Sequence, residues 1–208
     1  EAEAPMVKTQ APAWYRMMLG KFEITALNDG FIDLDASLMH EITQERMKEL
    51  FARDFTGYPK MKTSSNVYLV NTGPRLVLID AGSGDYFGPS MGNAVRNMKA
   101  AGYDPAQVDA ILITHMHGDH VGGLITADGK PAFPKAFVFV YKPESDFWLS
   151  DENLAKAPAD MKKWFQMARK AAEPYASRGR WQAFENGLPL PGVTGIRAVP
   201  IAGHTKGH

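Results

Sequence analysis

The sequence has no cysteine. Disulfides and thiolate metal sites are therefore excluded, and any metal must be held by histidine and carboxylate. It also has no excess of either charge: 23 Lys and Arg balance 23 Asp and Glu, for a formal net charge of zero. A chain built to neutralise phosphates usually carries a basic surplus, so nucleic acid is disfavoured as a partner. No apolar run approaches the ~18 residues that a bilayer span requires. Nor does a strongly basic amphipathic helix stand out that would lie on a membrane surface. Internal repeats and low-complexity linkers are lacking too. No positively charged segment followed by an apolar stretch opens the chain, which reads as a mature form without signal peptide. The first four residues, Glu1-Ala2-Glu3-Ala4, look like the scar of a trimmed yeast secretion leader; a short natural acidic tail is the alternative. We set residues 1–4 aside as an expression scar and expect residues 5–208 to form a single domain. A secretory or periplasmic location is favoured, and the lack of cysteine and of any Asn-X-Ser/Thr site permits it.

What is present is the composition of a globular protein, 45% apolar and 22% charged over 208 residues. Short β-branched or aromatic runs bounded by turn residues predict strands at Phe22–Leu27, Asn66–Asn71, Arg75–Asp80, Ala110–Thr114, Ala136–Tyr141 and Gly195–Ile201. Asn71-Thr72-Gly73-Pro74 reads as a hairpin turn. Helical periodicity is clearest over Thr43–Arg53, Gly88–Ala101 and Asp160–Tyr175. Strands come first in pairs and then alternate with helices, which predicts an α/β fold with a mixed sheet. With 19 glycines and 14 prolines, loops carry much of the chain, and loops are where sites tend to sit.

Six histidines occur, and three fall in one hexapeptide, His115-Met116-His117-Gly118-Asp119-His120. The preceding Ala110–Thr114 reads as a buried strand, so the cluster lies just past a strand's C-terminal end, the usual place for a site in an open α/β sheet. From an extended loop, His115 and His117 at i and i+2 project to the same side and can share one cation. Asp119 and His120 fall on the next turn and can reach a second. Imidazole with carboxylate suits zinc or a similar divalent transition ion. Gly118 lets the backbone pass close to the metals, and Gly122-Gly123 would let the next helix pack closely on the strand. A His-rich surface turn is the bland alternative.

His-x-His-x-Asp-His after a buried strand resembles the signature of the metallo-β-lactamase superfamily. Leu76-Val77-Leu78-Ile79-Asp80-Ala81-Gly82 resembles its second-strand motif, and Gly203-His204-Thr205-x-Gly207-His208 resembles the segment that supplies the third histidine of the first metal. Trp14–Met17, Phe22–Leu27, Phe87-Gly88-Pro89 and Asp146–Ser150 are similar to the methyl parathion hydrolase group, which includes organophosphate hydrolases, lactonases and esterases.

The resemblance implies an αβ/βα sandwich of two mixed sheets flanked by helices. It implies two divalent ions, most simply Zn2+ with other transition divalents open. Their ligands would be His115, His117 and His204 for the first and Asp119 and His120 for the second. Asp80 and His208 would buttress the site, although Asp80 could be a plain turn residue. Phe87, Trp148 and Trp164 would line a substrate pocket, although aromatic residues in a domain of this size are as readily core. His40 reads as a surface histidine, Asp146 carries no role, and Lys162, Lys163, Arg169 and Lys170 read as a solvated helix face.

Two ions about 3.5–4 Å apart can share a hydroxide that attacks a carbonyl or phosphoryl centre, with Asp119 orienting it or passing a proton to the leaving group. The function implied is a dinuclear hydrolase that opens lactones or cleaves esters, with organophosphate triesters as the alternative. The partner would be a small-molecule lactone, ester or phosphotriester. The resemblance leaves a homodimer open, and no motif bears on it. The family also requires a bridging Asp and a last His after His208. We therefore expect the C-terminal part of the domain to be missing. The contrary reading is a non-catalytic metal-binding fragment.

Overall fold

The computed structural model describes residues 4–9, 11–185, 187 and 193–208. Residues 1–3 of the expected remnant 1–4 lie outside them. Seven strands form one mixed sheet in simple sequence order. They are β1 (Trp14–Leu19), β2 (Phe22–Asp35), β3 (Lys60–Asn71), β4 (Leu76–Ile79), β5 (Ala110–Ile113), β6 (Phe137–Tyr141) and β7 (Trp181–Phe184). The first four pair antiparallel, and β4 to β7 pair parallel. Six helices lie between them: α1 (Gln44–Arg53), α2 (Ala94–Ala100), α3 (Gly118–Val121), α4 (Lys142–Leu149), α5 (Asp151–Lys156) and α6 (Ala159–Ala176). Hairpins thus precede crossovers, as parallel pairing requires. The four parallel strands end on one edge, so Asp80, Thr114 and Lys142 all follow strand ends that face the same way.

The period of two along each strand splits the apolar residues between two faces. On one, Leu27, Val67, Leu69, Leu78, Ile111, Ile113, Val138 and Val140 are buried against Met98, Trp148, Phe165 and Tyr175 from the helices. Tyr175 closes this core with two hydrogen bonds: its hydroxyl donates to the Leu124 carbonyl (2.9 Å) and accepts from Phe133 N–H (3.2 Å). On the other face Val70, Val77, Ala110 and Phe139 pack with Ile79, Leu112, Phe184, Val193 and Ile196. Every strand found among the described residues belongs to this one sheet, one mixed layer of the sandwich flanked by helices. No helix among them is long and apolar enough to cross a membrane.

Several predicted elements differ in extent. Gly195–Ile201 forms no strand: no ladder partner is present among the described residues, and Ile201 N–H bonds the His208 carbonyl instead (2.7 Å). The helix predicted from Gly88 starts only at Ala94, because Gly88 and Gly92 both sit at φ 77° and turn the chain first. α1 starts where Thr43 caps it, its hydroxyl accepting from Arg46 N–H (3.2 Å). The Asn71–Pro74 turn is present, with Thr72 N–H bonded to the Arg75 carbonyl (2.9 Å).

Candidate metal centre

Two strand ends build the floor of the site. β4 stops at Ile79, and Asp80 turns the chain at φ 59°, a left-handed position that short Asp and Asn tolerate better than most residues. Its amide donates to the Leu112 carbonyl on β5 (2.8 Å). The Asp80 side chain, 6% exposed, then reaches past the end of β5. It accepts from Thr114 N–H (2.8 Å) and the Thr114 hydroxyl (2.9 Å), and meets His120 Nδ1 at 2.8 Å. The carboxyl therefore fastens the histidine loop and is more than a turn residue. Backbone contacts reinforce it. Ala81 N–H bonds the His120 carbonyl and Gly123 N–H bonds the Gly82 carbonyl, both at 2.8 Å. A Cβ on Gly123 would lie 2.0 Å from the Ala81 oxygen, so only glycine lets the two loops approach this closely.

Above that floor His115, His117 and His204 converge, and one ring nitrogen from each lies within 4.8 Å of the others. His117 Nδ1 and His204 Nε2 are 3.1 Å apart. His115 is 3% exposed, and its Nε2 is buried with no hydrogen-bond partner. Burial first, and then the surrounding imidazoles, hold His115 down to about 2. Burial and His204 lower His117 as well. The result is three imidazoles whose ring nitrogens converge, one of them an orphaned buried nitrogen on a ring that burial holds neutral. That donor set fits a divalent transition ion.

Asp119 and His120 sit beside this trio. Asp119 Oδ2 is 3.3 Å from His120 Nε2, so His120 lies between two carboxyl groups. Burial alone would lower His120, but hydrogen bonds to Asp119 and Asp80 outweigh it and raise the ring to about 10. Burial conversely opposes ionisation of Asp119, yet its bond to His120 leaves it lowered. His208 stacks near the cluster, its ring centroid 4.7 Å from that of His115. His40 is exposed.

The aromatic candidates divide. A cavity of about 490 Å³ opens beside His117 and His204 and is lined by Phe147, Trp148 and Met161. Trp148 is only 2% exposed and sits 5.5 Å, centroid to centroid, from His117. Phe87 and Trp164 stack on each other at 5.9 Å, with Trp164 5.8 Å from His117, and neither lines that cavity. Asp146 pairs with Lys142, and Lys162, Lys163 and Lys170 are exposed. Arg169 is held by the Leu149 carbonyl and Asp151, both at 2.7 Å.

Two buried carboxyl groups escape a reading by motif. Asp29, 0% exposed, accepts from Ser83 N–H (2.9 Å), the Ser83 hydroxyl (2.7 Å), Gly92 N–H (3.2 Å) and Ala94 N–H (3.0 Å). It therefore fixes the loop after Asp80. Glu144, also 0% exposed, accepts from Met116 N–H, Trp148 Nε1–H and Gly207 N–H. Their sequence neighbours, Asn28 and Gly30 for Asp29 and Pro143 and Ser145 for Glu144, give no signal of burial. Gly88-Pro89-Ser90-Met91-Gly92 spells the letters of a serine-hydrolase elbow. It lies in turns, not between a strand and a helix, and no histidine bonds Ser90 among the described residues.

A family model described as the metallo-beta-lactamase superfamily matches residues 62–208. The chain belongs to that superfamily. A protein of Mycobacterium tuberculosis named "Probable metallo-hydrolase" is 29% identical over 161 residues, covering 69% of this chain and 50% of that protein. A Mycobacterium bovis protein of the same description matches equally. The chain spans about half the length of these curated relatives. Among solved structures, the hydrolase AbOPH of the beta-lactamase superfamily is similar at 35% identity and TM-score 0.88, over 96% of this chain and 69% of that one. AidC, a dizinc quorum-quenching lactonase, shares the fold at 23% identity and TM-score 0.80, over 93% of this chain and 68% of its own.

Proposed function

We propose that the intact protein is a metal-dependent hydrolase that opens lactones or cleaves neutral esters, with a dinuclear centre. The observation that carries this reading is the convergence of His115, His117 and His204, together with the partnerless buried Nε2 of His115. His115, His117 and His204 would hold one divalent cation, and Asp119 and His120 would contribute to a second. Bound there, such ions supply Lewis acidity and activate water near neutral pH.

The chain's own groups supply the remainder. Burial keeps His115 and His117 neutral, so their lone pairs need not first lose a proton. Asp119, lowered by His120, is ionised at neutral pH and placed to take a proton from water or pass one to a leaving group. Phe147, Trp148 and Met161 give the cavity an apolar wall that screens the reacting bond from bulk water and suits an acyl or aryl group. Among the described residues of that lining Lys206 is the one Lys or Arg, with no cluster of them to hold an anionic phosphate, which favours an uncharged lactone, ester or phosphotriester. The similarity of Trp14–Met17 and Asp146–Ser150 to the methyl parathion hydrolase group supports the same class and keeps an aryl phosphotriester as the second reading.

Zinc content, and kcat/KM for an acyl lactone and an aryl phosphotriester, would be measured on protein stripped with a chelator and then reloaded. Stripping should abolish turnover and zinc should restore it, with the lactone preferred. A higher kcat/KM for the phosphotriester would select the second reading. Full turnover without metal would refute the hydrolase mechanism, and bound zinc with no turnover on any ester would leave a non-catalytic metal-binding protein.

A further inference from the structure

We propose that Glu144 is a positioning residue that sets the distance between the two ligand-bearing segments, and that Gly207 is its required counterpart. The proposal rests on reading the histidine cluster as a metal site. The segments come from distant parts of the chain: His115 and His117 follow β5, whereas His204 lies in the loop 202–208.

Glu144 touches both. Its Oε1 accepts from Met116 N–H at 2.8 Å, the amide between His115 and His117. The same oxygen accepts from Trp148 Nε1–H at 2.8 Å, one helical turn on, where the indole packs beside His117. Its Oε2 accepts from Gly207 N–H at 2.9 Å. A carboxyl with 0% exposure thus has three N–H donors, two of them backbone amides within three residues of candidate ligands.

The second segment packs Val193 and Ile196 on the second apolar face but has few other polar ties. Among the described residues, two hydrogen bonds link 193–208 to the rest of the molecule: the His117–His204 contact and Gly207 N–H to Glu144. The bonds from Ile201 N–H to the His208 carbonyl and from Gly203 N–H to the Thr205 carbonyl stay within the segment. The Thr205 hydroxyl is buried without a partner. When both imidazoles give their lone pairs to a cation, their direct contact is lost, and among the described residues the bond to Glu144 is the one hydrogen bond that still ties the segment to the rest. Gly207 enables it by shape. A Cβ there would lie 2.4 Å from the Glu144 amide nitrogen and 2.6 Å from its Cβ, so any side chain lifts the segment off α4. Groups that hold metal ligands in place typically change metal affinity by about 10–100-fold when altered.

The test uses Glu144→Gln and Gly207→Ala in the intact chain, with Thr43→Ala as a control that weakens the α1 cap away from the site. Gln keeps the volume and can accept from Met116 and Trp148, but its NH2 then faces Gly207 N–H. Zinc affinity is read by competition with a chromophoric chelator, and the ligand field from the visible bands of the cobalt-substituted protein. Both site variants should lose about 10–100-fold in zinc affinity. Their cobalt bands should weaken and shift as a nitrogen donor is replaced by water, while Thr43→Ala keeps both readouts. Folded Glu144→Gln with wild-type affinity and spectrum overturns the proposal. So does an equal loss in Thr43→Ala, which would make the effect one of general stability. If Glu144→Gln does not fold, Gly207→Ala decides alone. Wild-type protein that binds no zinc would overturn the metal-site reading itself.

Discussion

Replacing Asp80 with Asn tests how the floor of the site controls the candidate metal ligands. Asn tolerates the left-handed backbone that Asp80 adopts at φ 59°, so the turn should survive. The amide has one oxygen where the carboxyl has two. If that oxygen keeps Thr114 N–H and the Thr114 hydroxyl, the NH2 group faces His120 Nδ1, which now lies 2.8 Å from Oδ2. The neutral His120 ring that a cation requires then avoids a donor–donor clash only by giving Nδ1 as acceptor and keeping its one proton on Nε2, the nitrogen turned toward Asp119. That tautomer has no lone pair left for a cation. Forcing it back loses a charge-assisted hydrogen bond of about 1.5–3 kcal/mol, or roughly 10–150-fold in affinity.

The same substitution has a signature without metal. His120 is raised from 6.5 to about 10 in the folded state, so its contribution is fully present below pH 6.5 and is lost as pH rises through about 10. With one of the two carboxyl partners removed, Asp80→Asn should titrate His120 at lower pH and flatten the loss of stability across that window. The assays are zinc competition at neutral pH and urea unfolding in chelator from pH 6 to 10, with His120 followed by NMR. Unchanged zinc affinity in folded Asp80→Asn would refute the tautomer argument. A wild-type stability that stays flat from pH 7 to 10 would refute the electrostatic one.

Tyr175→Phe should cost about 1–3 kcal/mol in urea unfolding, because Phe133 N–H and the Leu124 carbonyl both lose the buried hydroxyl; an unchanged midpoint would count against that bond pair. Gly123→Ala places a methyl group 2.0 Å from a backbone oxygen that no rotamer change can move, so it should cost at least ~1–3 kcal/mol and weaken zinc binding together with stability. A variant as stable as wild type would show that the two loops can part without penalty.

What was legible in the sequence was local. His115, His117, Asp119 and His120 are neighbours in the chain and follow a buried run, so spacing alone placed them at a strand end. α1 was readable from Thr43 and the apolar period behind it. The hidden parts depend on distance along the chain. Glu144 reaches partners 28 and 63 positions away, and Asp29 reaches 54 to 65, so neither makes a motif. β1 was missed because it is an edge strand with Tyr15, Met17, Met18 and Leu19 exposed, which erases the alternation of a half-buried strand. β7, Trp181–Phe184, carries Gln182 and has no buried residue, so it lacks the apolar run that marks the equally short β4 and β5. Gly195–Ile201 has the composition of a strand, but a ladder needs a neighbour as well as a propensity.

The glycine contacts between 81–84 and 120–123 also bear on how the protein opens. A Cβ on Gly122 would fall 2.1 Å from the Ser83 oxygen, and one on Gly84 2.6 Å from the Gly122 oxygen, so the two loops meet backbone to backbone with nothing flexible between them. Their amides at Ala81 and Gly123 are bonded reciprocally across that seam. Such a joint has no intermediate in which one loop swings out and the other stays packed. Both sets of amides should therefore open to solvent as one cooperative unit, with a common free energy and a common dependence on denaturant. Asp80 and His120, at the edges of that seam, should then part in a single step and not residue by residue.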